Sequence, residues 1–340
     1  PTLMASEAGE GPAVAARLIA ANRAACRDLG ARLRARPPAF VVTCARGSSD
    51  SAATYAKYVI EIATRTVVAS VGPSIASVYG TRPRMKDALF IAISQSGRSP
   101  DILALAEEAR KDGALTVAFL NETGSPLASL VEVVLPLHAA PERSVAATKS
   151  YLASLVGVLQ LVSYWTDDPA LAAAVTRLPE DLAAAHAADW RPALPLLERS
   201  NHLYVAGRGP GFAAALESAI KLKETCGLHA EAQSAAELLH GPMALAAPDF
   251  PVLLYSQDDA SLPGIADLAR VLVRRGVPVL AAGPAAGEGT LALPSATGLH
   301  PFAQPIALVQ SFYPVAEALA RSRGRDPDRP PHLAKVTETR

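Results

Sequence analysis

The chain has 340 residues, half of them hydrophobic, with 32 basic and 32 acidic side chains. That length predicts about two domains with full cores, and a formal net charge of zero excludes the basic footprint of a nucleic-acid binder. Three cysteines, Cys26, Cys44 and Cys226, make no disulfide framework and fit a reduced, cytoplasmic setting.

The N-terminus lacks the basic-then-apolar layout of a signal peptide. Residues 13–35, alanine-rich with Leu18, Ile19, Leu29 and Leu33, predict one helix closed by Pro37-Pro38. Residues 40–44 predict a strand, Arg46-Gly47-Ser48-Ser49 a polar glycine loop, and residues 51–63 a helix. Residues 67–71 predict a strand and residues 73–80 a loop with a short helix. Residues 89–93 are an apolar run of strand length. Pro100 then suits a first helical turn, with Ile102, Leu103 and Leu105 following it. Residues 115–121 and 131–137 predict two more strands, and residues 145–165 a long helix. The apolar stretch at 151–165, interrupted by Gln160, is too short to span a bilayer and reads as a buried or subunit-interface helix. Strands alternating with helices predict a parallel sheet covered on both faces.

After an alanine-rich connector with helical patches the pattern restarts. Residues 203–206 predict a strand, 211–225 a helix, 251–256 a strand, 261–275 a helix, 277–282 a strand and 304–322 a last long helix. This last helix is the second candidate interface element. Arg46-Gly47 recurs as Arg208-Gly209, and Ser94-Gln95 recurs as Ser256-Gln257, both 162 positions on. Each match follows a strand and precedes a helix, so the chain is read as two copies of one α/β domain. The expected divisions are a helical segment (1–36), a first domain (37–166), a connector (167–194), a second domain (195–322) and a tail (323–340).

The loop between residues 94 and 99 holds Ser94, Gln95, Ser96, Gly97 and Ser99. Hydroxyls and the free N–H groups of a helix start converge there, which suits a phosphate; the alternative is a serine-rich turn with ordinary N-capping. The second copy reads Ser-Gln-Asp-Asp-Ala-Ser at this place, and two carboxylates would repel a phosphate. The anion site is therefore expected in the first copy only.

The second copy carries the candidates for chemistry. Glu224 lies near the C-terminal end of its helix, where a carboxylate opposes the helix dipole. It suits a base that takes and returns a proton, or else a salt bridge to Lys221. His240, beside Gly241-Pro242, suits proton transfer at a sugar ring oxygen, or else caps a helix. Lys335 is either a solvated tail lysine or, if Leu333, Ala334 and Val336 pack the tail down, an amine for a carbonyl. Cys226 reads as a small buried residue. No metal-ligand spacing, G-x-G-x-x-G or Walker pattern is present, so no metal, nucleotide or other cofactor is expected.

Several stretches, in order, resemble one family. Arg46-Gly47-Ser48-Ser49, Ser94-Gln95-Ser96-Gly97, residues 142–149, Lys221-Leu222-Lys223-Glu224, His229-Ala230-Glu231-Ala232, Glu237 to Pro242 and Leu333-Ala334-Lys335 are similar to the isomerase half of glucosamine-6-phosphate synthase. That half is a double sugar isomerase (SIS) domain, and the resemblance runs from about residue 40 to the C-terminus. It implies two tandem three-layer αβα, flavodoxin-like domains. It further implies that Gly47, Ser48, Ser49, Ser94, Gln95, Ser96, Ser99, Val145 and Ala147 hold the phosphate and sugar. By the same resemblance Glu224 moves a proton between C1 and C2, and His240 of a neighbouring subunit opens the ring. Lys335 meets the open-chain carbonyl with Lys221 close by, and a homodimer shares the site. Three departures point from the synthase toward stand-alone SIS-type glucosamine-6-phosphate deaminases. The first strand begins within 40 residues, leaving no room for a glutaminase; Arg98 replaces an acidic residue; and the usual serine after the lysine is missing. A galactosamine- or fructosamine-6-phosphate enzyme, or a glutaminase-less aminotransferase-like protein, is the nearer alternative. A sugar-phosphate-binding regulator is the non-enzyme one, disfavoured because residues 1–36 are too short for a helix-turn-helix domain with its linker.

Overall fold

The computed structural model describes residues 1–335. The last five residues of the expected tail lie outside them. The chain divides into two compact units. One contains Ala13–Glu142, Lys149–Thr176 and the chain from Ala334; the other contains Pro1–Pro12, Arg143–Thr148 and Arg177–Leu333.

The first of these units holds strands β1 (Val41–Cys44), β2 (Val68–Ser70), β3 (Leu89–Ser94), β4 (Leu115–Leu120) and β5 (Val133–Pro136). They form one parallel sheet in the order β2-β1-β3-β4-β5. β1 and β3 are buried throughout, as strands covered on both faces must be. In the helix Pro100–Lys111, Ile102, Leu105, Ala106 and Ala109 are buried, one face at helical spacing. They pack on Val42, Phe90, Ala92 and Leu120 of the sheet. Full burial of a side chain such as Leu105 contributes roughly 2 kcal/mol.

The helix Lys149–Thr166 is buried except at Tyr164 and Thr166. It packs on the helices Arg23–Ala35 and Ser48–Thr64. Gly30 permits the close approach, since a Cβ there would fall 2.6 Å from the carbonyl carbon of Tyr164.

The other unit holds β6 (His202–Gly207), β7 (His229–Ser234), β8 (Val252–Tyr255), β9 (Val279–Ala282) and β10 (Leu291–Leu293). Its parallel sheet has the order β10-β9-β8-β6-β7, the same topology repeated. The helices Pro100–Lys111 and Leu262–Arg274 begin 162 positions apart, the offset of the loop motifs. The helix Gln304–Ser322 is buried along most of its length. Both long apolar helices are thus core elements of the chain rather than open faces. No helix among the described residues is long and apolar enough to cross a membrane.

Several elements differ from the sequence expectation. The helix expected over 13–35 is two, Gly11–Ala21 and Arg23–Ala35. They part at Asn22, whose side-chain amide is drawn off to the carbonyl of Pro136 at 2.8 Å. A further helix, Leu3–Gly9, precedes them, its start capped by the Thr2 hydroxyl. The long helix begins at Lys149 rather than 145; the segment before it is tied instead by the Glu7 carboxylate, which accepts from the backbone N–H groups of Arg143 and Ser144. β7 and β10 escape the periodicity reading because they are sheet edges with largely exposed or half-buried residues. The tail residues Leu333 and Ala334 are exposed and do not pack down.

Candidate active site

In a sheet of order 2-1-3-4-5 the chain leaves β1 toward one edge and β3 toward the other. The crevice beyond their C-terminal ends is where open α/β sheets hold ligands. Both serine-bearing loops of the first sheet stand there. The loop after β1 leads through Gly47 into the helix Ser48–Thr64, so Ser48 and Ser49 sit in its first turn. The loop after β3 leads into Pro100–Lys111, with Ser99 at the N-cap in extended conformation. Two helix starts therefore point their free N–H groups at one crevice.

The second loop is held at several points. Ser94 Oγ accepts from the Gly97 N–H at 2.9 Å, which leaves the Ser94 O–H to donate. Gln95 and Gly97 carbonyls accept from the N–H groups of Glu122 and Leu127. Gly97 has φ 61°, and a Cβ there would collide with the Ser125 hydroxyl. Gln95, Ser96 and Ser99 remain half-buried, facing neither bulk water nor the core alone. The two loops are clamped together by Arg46, whose guanidinium pairs with the fully buried carboxylate of Asp101, Nε lying 2.9 Å away.

The corresponding crevice of the second sheet is filled by its own side chains. Gln257 Nε2 donates to the Arg208 carbonyl at 2.8 Å, and to Asp259 Oδ2 and Ser261 Oγ at 3.0 Å. Asp259 Oδ1 accepts from the Ser261 N–H at 2.8 Å and from its hydroxyl at 2.5 Å. The Asp259 carboxylate thus takes the donors that an external anion would need. The expectation of a phosphate loop in the first copy only has this physical basis.

The chemistry candidates of the second unit lie on the helix Gly211–Cys226. Glu217, Lys221 and Glu224 share one helix face at spacings of four and three residues. Lys221 is 1% exposed and donates to Glu224 Oε2 at 2.6 Å; Glu217 Oε1 stands 3.7 Å from the same ammonium. Glu217 is itself fully buried and accepts from the Tyr313 hydroxyl at 3.2 Å. Glu224 keeps 28% of its side chain exposed, so a bound molecule can reach it. The salt bridge read as an alternative role for Glu224 therefore exists, and it leaves the carboxylate accessible. Burial pushes the Cys226 thiol up to about 11 and the Cys44 thiol up to about 12, which keeps both protonated and unreactive at neutral pH.

His240 follows the short helix Ala235–Leu238 and is exposed; its N–H bonds the Glu237 carbonyl, and Gly241 turns the chain at φ 150°. Val145 and Ala147 are half-buried in the segment Arg143–Thr148. Lys335, in the unit of the first sheet, keeps 25% of its side chain exposed. Its Nζ donates to Glu142 Oε2 at 3.0 Å. Sequence reading assigned no role to Glu217, Asp101 or Glu142. For Glu217 the i, i+4 spacing to Lys221 was the available signal; the other two are long-range partners with no local signature.

A family model described as the SIS domain matches residues 40–164 and 196–282. The chain belongs to the SIS domain family. In this SIS protein Ser48, Ser49, the 94–99 loop, Val145 and Ala147 fall in the first matched stretch. Lys221, Glu224 and His240 fall in the second, and Lys335 outside both. Glutamine–fructose-6-phosphate aminotransferase (isomerizing) of Symbiobacterium thermophilum is 34% identical over 327 residues, covering 90% of this chain and 52% of that protein. The SIS chain spans about half the length of the curated relatives it matches. A provisionally named phosphosugar isomerase from Silicibacter pomeroyi DSS-3 is 42% identical with a TM-score of 0.92, covering 96% of this chain and 100% of that one. Glucosamine-6-phosphate deaminase from Thermotoga maritima shares the fold, with a TM-score of 0.74 at 20% identity, covering 96% and 100%.

Proposed function

We propose that this SIS protein is an isomerising deaminase that converts glucosamine 6-phosphate and water to fructose 6-phosphate and ammonia. The observation that carries the reading is the Lys221–Glu224 pair: an accessible carboxylate fixed at 2.6 Å by a buried ammonium. The phosphate is taken by Ser48, Ser49, Gln95, Ser96 and Ser99, with the remaining O–H of Ser94, at the two helix starts. His240 moves the proton that opens the ring. Glu224 removes the proton from C2 and returns it to C1, and the C2 imine that results is hydrolysed by water. Lys221 holds the charge of Glu224, while Lys335 meets the carbonyl oxygen as charge develops there.

The tail and loop departures at Arg98 and after Lys335 support the deaminase over the synthase direction. A second reading, the isomerase half of an aminotransferase, is favoured by the names of the curated relatives. Purified protein given glucosamine 6-phosphate alone separates the two. Stoichiometric ammonia and fructose 6-phosphate support the deaminase; no release, with fructose 6-phosphate still bound, supports the second reading. Galactosamine 6-phosphate alongside tests the epimer.

The proposal includes a homodimer whose active site takes His240 from the neighbouring subunit. Mixing inactive His240→Ala with inactive Glu224→Gln protein tests this. Activity recovered in hybrids supports a shared site, and silent hybrids place both residues in one chain.

A further inference from the structure

We infer that Glu142 is a positioning residue for Lys335, registering its amine against the start of the helix Lys149–Thr166. The inference rests on the proposed contact between Lys335 and the open-chain sugar. The Glu142 side chain is fully buried, whereas Lys335 keeps 25% of its side chain exposed. Oε2 of Glu142 accepts from Lys335 Nζ at 3.0 Å and from Ser150 Oγ at 2.6 Å. Oε1 accepts from the Ser150 backbone N–H at 3.1 Å.

Ser150 is the second residue of its helix, so this N–H is one that the helix cannot satisfy internally. One carboxylate therefore completes a helix start and grips an ammonium. The helix is buried from Lys149 to Ser163. Residues 331–334, which lead to Lys335, are exposed. An apolar pair would anchor a tail as well or better, because burying a carboxylate costs more than its pairing returns. What an apolar pair does not supply is a fixed point for a charged amine. A displacement of about 1 Å at a reacting group reduces rate by about 100-fold.

The test uses the full chain with glucosamine 6-phosphate. Glu142→Gln keeps the shape and removes the charge that holds Lys335. The expected result is a kcat about 100-fold lower, with KM, fructose 6-phosphate affinity and thermal midpoint close to wild type, and partial recovery in Glu142→Asp. Near wild-type kcat in Glu142→Gln, with Lys335→Met inactive, overturns the inference and leaves the reading standing. A joint fall of kcat, affinity and thermal midpoint also overturns it, because Glu142 is then only a latch. If Glu142→Gln does not fold, Ser150→Ala takes its place, with the same kcat-selective loss expected and an unchanged kcat overturning the inference. A wild type that releases no ammonia overturns the reading and the inference together.

Discussion

Lys221 and Glu224 stand one turn apart on the same helix, joined at 2.6 Å, with the ammonium out of reach of solvent and the carboxylate open to it. The asymmetry divides their labour. Glu224 is placed to meet a ligand, and Lys221 is placed to hold Glu224.

Replacing each therefore has a different consequence. Glu224→Gln removes the proposed general base and leaves Lys221 beside Glu217. Turnover is expected to fall by about 1,000-fold, with fructose 6-phosphate affinity within a few-fold of wild type by calorimetry. Retained turnover would remove Glu224 from the mechanism.

Lys221→Met strands the buried carboxylate of Glu217 without its cation. Breaking a buried pair from one side costs about 3–5 kcal/mol. A large drop in thermal midpoint is expected here and not in Glu224→Gln; equal midpoints in the two variants would contradict the burial argument.

Gly97 carries the shape of the proposed phosphate loop. Gly97→Ala forces a side chain into φ 61° and onto Ser125. Such strain costs about 1–3 kcal/mol. The loss is expected in ligand affinity, read as a raised Kd for fructose 6-phosphate, with the Lys221–Glu224 pair unchanged.

Binding stoichiometry tests the inequality of the two copies. Asp259 already ligates the donors of the second loop. One phosphate-bearing sugar per chain is expected by calorimetry, and two would show that Asp259 does not block the second crevice.

The buried thiols give a pH dependence. Burial pushes Cys26 and Cys44 up to about 12 and Cys226 up to about 11, from 9.0. In the folded chain these thiols stay protonated where the unfolded chain has ionised them. The unfolded state binds fewer protons there, so stability falls as pH rises from about 9 toward 12. Thermal midpoints measured between pH 7 and 11 are expected to be flat and then to decline. Native protein at pH 8 is expected to resist a thiol-labelling reagent until unfolded.

The repeat, the parallel α/β class and both serine loops were legible in the sequence. Each is written in local pattern: apolar runs of strand length, helix positions such as Ile102 and Leu105, which are buried while Leu103 is only half-buried, and one offset shared by two motifs. The edge strands β7 and β10 were not legible, since an edge strand with one covered face needs no continuous apolar run. The break at Asn22 was hidden for a different reason, because the carbonyl that draws its side chain belongs to Pro136, more than a hundred residues away.

The sequence by itself determined which residue types stand at the ends of β1 and β3, because that property is local to a strand, a loop and a helix start. Only the tertiary structure decided their partners. Asp101 clamps Arg46, and Glu142 grips Lys335 across 193 positions. A buried charge must find its counter-charge in space, and neither helical period nor strand alternation records where in the chain that partner lies.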